Sequence, residues 1–140
     1  MSPTRVLFLC TQNSCRSQMA EGWARALHPD ALIAASAGSR PAGVHPLAVR
    51  VMAEAGVDIS QQRAKSVEEF LREPLDWVVT LCDGARESCP VFPGPVRRLH
   101  EDFPDPAEAA GSPEEVLAEF RSVRDAIRDF VAGLPERLRG

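Results

Sequence analysis

The sequence predicts an α/β fold, a three-layer sandwich around a central parallel sheet of about four strands. Segments with strand and helix character alternate along the 140 residues. Two strand candidates, residues 5–9 and 76–82, contain unbroken apolar runs, which are typical of strands covered on both faces. We therefore expect helices on both faces of the sheet. We treat residues 1–140 as one domain, because that length suffices to bury a core.

Composition narrows the possible function classes. The formal net charge is −4 and the basic residues form no cluster, which argues against a general nucleic-acid surface. No apolar run is long enough for a signal peptide or a membrane span, so we expect a cytoplasmic protein without membrane or nucleic-acid partners. In that compartment the 4 cysteines favour catalysis or metal binding over structural disulfides.

The first half of the chain has four predicted elements: a strand over residues 5–9, a helix over 17–27, a strand over 31–36 and a helix over 46–55. Met19, Trp23 and Leu27 form an apolar stripe along the first helix. Gly56 suits the C-terminal end of the second helix. Gly38 follows the second strand, where a residue without Cβ lets another loop approach closely.

The second half contains a predicted short helix over residues 67–72, strands over 76–82 and 96–100, loops over 83–95 and 101–111, and a helix from residue 113. Ser66 is the expected cap of the short helix, with Glu69 as its capping-box partner. Ser112 and Glu115 form the same signature before the final helix. The apolar residues of that helix recur every three or four positions: Val116, Phe120, Val123, Ile127, Phe130 and Leu134. Pro135 marks its expected end.

Residues 10–17, which we call the anion loop, connect the first strand to the first helix. The strand ends at Cys10, polar residues 11–15 follow, and Arg16 and Ser17 open the helix. In such a connection the loop amides and the free N–H groups of the helix N-terminus converge, and the helix dipole adds positive potential. Arg16 adds a two-pronged donor for the same anion. This field favours a thiolate, so we interpret Cys10 as a nucleophile directed at a tetrahedral oxyanion. The structural alternative is a buried cysteine beside a helix-capping Ser17.

Three thiols are predicted to approach one edge of the sheet. Cys82 ends the third strand, and parallel strands place their carboxyl ends at one edge, so Cys82 and Cys10 should be neighbours. Cys89 follows at the end of a polar segment that contains Gly84. We call residues 82–89 the redox segment. A nucleophile, a resolving thiol and an exit thiol on a mobile segment would form a relay through thiol–disulfide exchange.

Other uses of the cysteines stay open at this point. Four residues separate Cys10 from Cys15 and six separate Cys82 from Cys89, whereas structural zinc sites prefer pairs separated by two to four. No histidine pair sits at a matching interval, so we expect no metal. Cys82 and Cys89 as small core residues are the plain alternative to a relay. Cys15 is interpreted as a packing residue, with oxidation onto Cys10 as the alternative.

Asp105 is the candidate proton donor, because its loop is expected at the same edge of the sheet. Asp102 is the rival for that role, and a turn-forming Asp–Pro pair is the structural explanation of Asp105. The three histidines, His28, His45 and His100, share no spacing and are interpreted as turn or surface residues.

With these residues in view, the chain resembles the thioredoxin-coupled arsenate reductases, which share the fold of the low-molecular-weight tyrosine phosphatases. The anion loop, Cys-Thr-Gln-Asn-Ser-Cys-Arg-Ser, and the Gln-Met-Ala-Glu-Gly that follows it carry the strongest likeness. Further matches occur in order along nearly the whole chain, at residues 36–38, 79–82, 89–90, 105–107 and 120–125. The resemblance implies the three-layer fold of that family.

The resemblance also implies a chemistry. Cys10 attacks arsenate, Arg16 holds its oxygens, and Asp105 protonates the leaving oxygen. Cys82 then attacks Cys10 and arsenite leaves, after which Cys89 attacks Cys82 and thioredoxin reduces the resulting disulfide. The implied oxyanion-binding residues are Thr11, Gln12, Asn13, Ser14, Cys15, Arg16 and Ser17. No bound cofactor is implied, and phosphate or sulfate should compete with arsenate.

Residues that support the anion loop are implied as well: Asn13, Ser17, Glu21, Ser36 and Lys65. Some relatives bind potassium beside the loop. Their ligands match Asn13, Glu21 and Ser36 of this chain, together with an acidic residue at position 65. Here position 65 is Lys65, so we expect its ammonium group to replace the cation and to pair with Glu21. Gln12 is a second departure, because glycine is common there and a positive φ would strain Gln12.

Two other functions are compatible with the sequence. A low-molecular-weight tyrosine phosphatase would use Cys10 to form a phosphocysteine, but such enzymes usually carry an aromatic residue where this chain has Ala107. A weak phosphatase side activity is compatible with a reductase. An anion-binding or redox-sensing module without catalysis would require Asp105 to lie far from the anion loop. We expect a monomer.

Overall fold

The computed structural model of the chain describes residues 2–139. Its strands and α-helices, in chain order, are β1 (Thr4–Leu9), α1 (Arg16–Leu27), β2 (Leu32–Ala37), α2 (Pro46–Glu54), β3 (Trp77–Thr80), α3 (Asp83–Ser88), β4 (Arg97–His100), α4 (Pro113–Ala132) and α5 (Leu134–Arg139). Short 3-10 helices cover Val67–Phe70 and Pro106–Glu108. Across this described range, no helix is both long enough and apolar enough to span a membrane.

The four strands of the described range form one parallel sheet in the order β2–β1–β3–β4, which confirms the predicted α/β class. Leu9 at the end of β1 is in register with Ala37 of β2 and with Thr80 of β3. Thr80 is in turn level with His100 of β4. The loops that carry the predicted functional residues therefore leave the sheet at one edge.

Both faces of β1 are covered, as its unbroken apolar run predicts. Val6 and Phe8 pack into the larger core, which α1, α2 and α4 close. Leu7 and Leu9 point to the opposite face and join a smaller core with Ala85 of α3. The alternation follows from the two-residue repeat of a strand. It produces a sandwich with one thick and one thin helical layer.

The end of the chain differs from the prediction. Residues 134–139 form a separate helix, α5, in which Leu134 and Leu138 are buried. Pro135 lies in the first turn of α5, where its missing N–H costs no intrahelical hydrogen bond. Proline therefore starts this helix instead of ending α4. The start of α4 is as predicted, since Ser112 and Glu115 form a complete capping box.

The buried faces of the helices are partly shifted from the predicted stripes. In α4 the central predicted positions are buried, but Leu117 and Val131 are buried where Val116 and Phe130 are only partly so. The reason is that α4 packs against both α1 and α2. Leu27 is 40% exposed because the last turn of α1 extends beyond the core.

Two local predictions in the second half are wrong. Residues 83–88 are helical instead of irregular, because the Cys82 thiol caps α3 by accepting a hydrogen bond from Ala85 N at 3.4 Å, and Ala85 is buried. Ser66 caps the 3-10 helix that follows it, but its hydroxyl accepts from Glu68 N instead of Glu69 N, so the capping box is incomplete. The Glu69 carboxylate accepts from the Ser66 backbone and also pairs with Arg63 at 2.7 Å.

Gly38 lies directly against the outside of the anion loop. A Cβ atom at this position would be 2.5 Å from Thr11 O, 2.7 Å from Cys10 O and 2.9 Å from Asn13 N. These neighbours are backbone atoms, which cannot rotate away as a flexible side chain would. The close approach predicted for Gly38 is therefore present, and Gly38 packs directly against the backbone of the loop.

We predict that Gly38→Ala destabilises the protein by about 1–3 kcal/mol, since overpacking against backbone forces the loop to shift. Gly133→Ala is the matched control, because a Cβ there has nothing within 4 Å. Urea unfolding of both variants measures the difference. Equal midpoints for the two variants would refute the steric role of Gly38.

Candidate active site

The anion loop is held from outside by backbone hydrogen bonds. The carbonyl oxygens of Thr11, Gln12 and Ser14 accept hydrogen bonds of 2.9, 3.0 and 3.0 Å from amides within residues 40–45. In a trans peptide the C=O and the following N–H point in opposite directions. The amides that follow these three carbonyls therefore point away from residues 40–45. This orientation is compatible with the convergent donors that the sequence predicts.

Asn13 supplies the turn of the loop. Its φ of 51° is the one positive φ of a non-glycine residue between positions 2 and 139, and Asn tolerates this region better than most residues. The left-handed position is therefore Asn13 and not Gln12, so the strain that would follow from a positive φ at Gln12 does not arise.

A directed chain of hydrogen bonds runs from Asn13 to the Cys10 sulfur. The backbone N–H of Lys65 donates to Asn13 Oδ1 at 2.9 Å, which fixes the orientation of the amide because a backbone N–H only donates. Asn13 Nδ2 then donates to Ser17 Oγ at 2.7 Å. Ser17 Oγ lies 2.8 Å from Cys10 Sγ and has its own hydrogen left to donate. The chain of hydrogen bonds therefore ends at the Cys10 sulfur.

Gln18 and Gln62 hold the chain in place from behind. Gln18 Nε2 donates to Asn13 Oδ1 at 2.9 Å and to Asn13 O at 3.1 Å. Gln62 Nε2 donates to Gln18 Oε1 at 2.8 Å, so the Gln18 amide is oriented too. Gln18 is fully buried. Neither glutamine was singled out from the sequence, since Gln62 lies 44 positions from Gln18 and no local pattern joins them.

Arg16 connects the anion loop to the Asp105 loop. Its Nη1 donates to Phe103 O at 3.0 Å, and its Nη2 lies 3.6 Å from Asp105 Oδ2. Its Nε is buried and has no hydrogen-bond partner within the described part of the chain. The guanidinium is thus fixed at one end and keeps a donor that an anion can use.

Asp105 faces the anion loop, whereas Asp102 lies elsewhere, beside Asp83 and His100. Asp105 Oδ1 accepts from Ala107 N at 3.0 Å, so the residue also forms the turn that the structural explanation predicts. Its other oxygen stays directed at Arg16. A small cavity joins the two loops, and it is lined by Cys10, Gln12, Ser14, Cys15, Arg16 and Asp105.

Cys82 is buried next to the anion loop, at the N-terminus of α3. Its Sγ lies 3.6 Å from Thr11 Oγ1. A Cβ on Gly84 would be 2.9 Å from the same hydroxyl oxygen, so the first turn of α3 packs closely on the loop. Cys82 and Cys10 belong to one apolar cluster in the smaller core. The neighbourhood predicted from the parallel sheet is therefore present.

Cys89 lies at the other end of α3. It is half-buried, and burial raises the pKa of its thiol, against an opposing effect of Arg98. Cys89 and Cys10 line one small pocket together with residues of α3. All four cysteines are free thiols. The two ends of the redox segment thus carry one thiol each, on the face that covers the anion loop.

Cys15 is the residue before the first turn of α1, makes no side-chain capping hydrogen bond there, and is buried. Burial raises the pKa of its thiol to about 12, with only a partial opposing effect from the Ser14 hydroxyl. A neutral, buried thiol behaves as a packing residue.

A second group of charges lies behind the anion loop. The Glu21 carboxylate is almost fully buried and accepts a hydrogen bond of 2.7 Å from Ser36 Oγ. Arg25 Nη1 lies 2.9 Å and Lys65 Nζ 3.5 Å from its oxygens. Burial lowers the pKa of Lys65, and Glu21 opposes that effect. The expected contact between Lys65 and Glu21 is present, and a buried charge is paired as it must be.

Two of the histidines are structural caps. His45 Nδ1 accepts from Leu47 N at 3.1 Å at the start of α2, and its ring stacks on Phe120. His28 Nε2 lies 3.0 Å from Val131 O at the end of α4. His100 ends β4 and lies beside Asp83 and Asp102.

Comparison with known proteins agrees with this geometry. The low molecular weight phosphotyrosine protein phosphatase family matches residues 5–140. An arsenate reductase of Bacillus licheniformis is 45% identical over 136 residues, which cover 97% of this chain and 98% of the relative.

Solved structures give the same assignment. An arsenate reductase in the phosphate binding state is 32% identical and superposes with a TM-score of 0.71, covering 96% of this chain and 98% of that one. A thioredoxin-dependent arsenate reductase of Corynebacterium glutamicum is 27% identical, with a TM-score of 0.73, and covers 99% of this chain and 63% of that one. The chain therefore belongs to the low molecular weight phosphotyrosine protein phosphatase family, and within it to the group that contains the bacterial arsenate reductases.

Proposed function

We propose that the protein reduces arsenate to arsenite with Cys10, Cys82 and Cys89 as a thiol relay and thioredoxin as the external reductant. The observation that carries the proposal is the placement of two further thiols at the ends of α3, beside the anion loop. The name of the Corynebacterium relative supports thioredoxin as the partner. A relay of free thiols needs a reducing compartment, so we infer the cytoplasm.

In the first step the anion loop binds arsenate, which has the shape and charge of phosphate. The convergent amides and Arg16 Nε supply the donors. In the resting state Ser17 donates a hydrogen bond to Cys10 Sγ. The Cys10 thiolate then attacks arsenic. Asp105 gives a proton to the leaving oxygen, which departs as water. Cys10 is then bonded to As(V).

Two exchange steps follow. The Cys82 thiolate attacks Cys10 Sγ, an S–S bond forms, and the electron pair of the S–As bond passes to arsenic, which leaves as arsenite. The Cys89 thiolate then attacks Cys82 Sγ and releases the Cys10 thiolate. Thioredoxin reduces the Cys82–Cys89 disulfide and returns both thiols. Arsenic gains two electrons and the protein loses two.

The second exchange requires α3 to unwind. Cys82 and Cys89 flank the helix, and seven residues of α-helix span about 10 Å along the axis. A disulfide needs Cα atoms within about 7 Å of each other. The helix has only six residues and its side facing solvent is polar, so it opens at low cost. Opening also uncovers the disulfide for thioredoxin.

A phosphatase function is the weaker candidate. The shared anion loop supports it, because a phosphocysteine intermediate would use Cys10, Arg16 and Asp105 in the same way. The residue after the Asp–Pro pair, however, is the exposed Ala107, which offers no ring to hold a phenol. Cys82 and Cys89 would also have no role in hydrolysis.

The relay predicts a distinct outcome for Cys89→Ser. Turnover with arsenate, thioredoxin, thioredoxin reductase and NADPH stops, but one arsenite per protein still forms, because Cys10 and Cys82 suffice for the first exchange. Cys10→Ser forms none and is the control. Steady-state turnover of Cys89→Ser equal to that of the wild type would rule out the relay.

Cys15 is predicted to stay unmodified during this chemistry. With a pKa raised to about 12, its thiol is neutral throughout the range from pH 6 to 9, so it reacts slowly with electrophiles. Iodoacetamide labelling of the native protein at pH 8, followed by peptide mass analysis, should modify Cys10 before Cys15. Equal labelling of both would support the alternative in which Cys15 oxidises onto Cys10.

We propose that Lys65 replaces a potassium ion beside the loop, because its ammonium group already neutralises Glu21. Wild-type activity should be the same in potassium and sodium salts at equal ionic strength. Lys65→Asp removes this charge and adds an acidic ligand, so its activity should rise several-fold in potassium. A marked potassium-specific gain in the wild type would contradict the proposal.

A further inference from the structure

Asp83, His100 and Asp102 form a second cluster at the edge of the sheet, away from the anion loop. Each residue offers one ligand atom, and the three atoms lie within 4.8 Å of one another. Ligands of one small cation lie about 3–4 Å apart, given bonds of about 2.1 Å. Both aspartates are exposed and can turn the small remaining distance.

His100 is held in the orientation that a metal ligand requires. Its Nδ1 lies 2.7 Å from the hydroxyl of buried Thr80. Its Nε2 is also buried and makes no hydrogen bond of good geometry in the part of the chain that is described, although it lies 3.3 Å from Asp83 Oδ1. Metal-binding histidines typically have one ring nitrogen fixed by such a neighbour, while the other binds the ion.

The electrostatics of the cluster favour a cation. His100 Nε2 lies 3.3 Å from Asp83 Oδ1. The Thr80 hydroxyl can donate to Nδ1 or accept from it, so the tautomer is set by what Nε2 faces. In the tautomer with Nδ1–H, the lone pair of Nε2 faces a carboxylate oxygen and a cation between them is stabilising, whereas in the other tautomer Nε2–H points at Asp83. Arg86 Nη2 lies 3.2 Å from the same Asp83 oxygen, but its side chain is 58% exposed and interacts from the solvent side.

We propose that Asp83, His100 and Asp102 bind one divalent cation of the class that accepts mixed imidazole and carboxylate ligands, such as Mn²⁺, Fe²⁺, Co²⁺ or Zn²⁺. Two carboxylates and a neutral imidazole balance its charge. The expectation from cysteine spacing that the chain has no metal site does not address this cluster, because its ligands come from separate elements and include no thiol.

The position of Asp83 gives the ion a consequence for α3. Asp83 is the first residue of α3 and follows Cys82 directly, whereas His100 ends β4. An ion held by both joins the first turn of the helix to the sheet. A ligand that binds only the closed form reduces the open population by about 100-fold at 100 times its Kd. The ion therefore holds the redox segment closed.

Binding is tested with Mn²⁺, which has little preference for thiolates. Loss of the free-ion electron paramagnetic resonance signal during titration of the reduced protein gives stoichiometry and affinity. We expect one ion per chain and at least tenfold weaker binding in Asp102→Asn and His100→Gln. Glu87→Gln is the matched control, since Glu87 is exposed on α3 outside the cluster.

Paramagnetic broadening of the amide resonances of residues 83, 100 and 102 locates the ion. Absence of binding to the wild type, or unchanged affinity in Asp102→Asn, would overturn the site. Because Asp102 is exposed, this variant should fold even if His100→Gln does not, and circular dichroism without metal checks it.

Hydrogen exchange tests the effect on α3 without arsenate. Saturating Mn²⁺ should slow amide exchange in residues 85–88 by about 100-fold in the wild type and leave Asp102→Asn unchanged. Equal exchange with and without the ion would overturn the closing effect.

The expected slowing of the relay rests on the proposed function and is measured separately, as formation of the Cys82–Cys89 disulfide in a single turnover. A slower step in the wild type alone supports the coupling, and an unchanged step overturns it. Failure of all variants to form arsenite would refute the reductase function but leave the binding result intact.

Discussion

The direction of one hydrogen-bond chain governs the candidate site. The backbone N–H of Lys65 can only donate, so the Asn13 amide has one orientation, Ser17 accepts from it, and the hydroxyl hydrogen of Ser17 stays available to Cys10 Sγ, 2.8 Å away. Reversing any link would direct an acceptor at the sulfur and oppose a thiolate. The left-handed turn at Asn13 and the buried amide of Gln18 keep this direction. A net charge of −4 is compatible with anion binding because these contacts act at short range.

Much of the fold could be predicted because its signals are local. The apolar runs of the strands, the capping box before α4 and the composition of the anion loop each lie within a few residues of sequence. The missing parts depend on distant partners or on burial. The short helix α3 exists because a thiol caps it and Ala85 finds a core. Gln62 contacts Gln18 of α1, which lies 44 positions away. The amides in residues 40–45 contact residues of the anion loop that lie 29–31 positions away.

The helix α3 combines two opposing demands. Packed on Thr11, it holds Cys82 beside the anion loop, and its length keeps Cys89 away from Cys82. A disulfide across it requires the packing to be given up. The stability of α3 therefore affects the proposed relay in two opposite ways. A helix that never opened would leave the Cys10–Cys82 disulfide unresolved, because Cys89 could not reach it. A helix that never formed would not hold Cys82 beside the anion loop. A cation at Asp83 would shift this balance toward the packed form.

The backbone hydrogen bonds on the outside of the anion loop determine which substitutions the loop tolerates. Amides within residues 40–45 donate to carbonyl oxygens of the loop, and every amino acid has such an oxygen. The shape of the loop is therefore largely independent of the side chains at its tip, apart from the turn at Asn13 and the space left by Gly38. This independence accounts for Gln12 at a position where glycine is common. A scaffold of this kind can change the surface that lines its cavity, and with it the choice between substrates, while the grip on a tetrahedral anion stays the same.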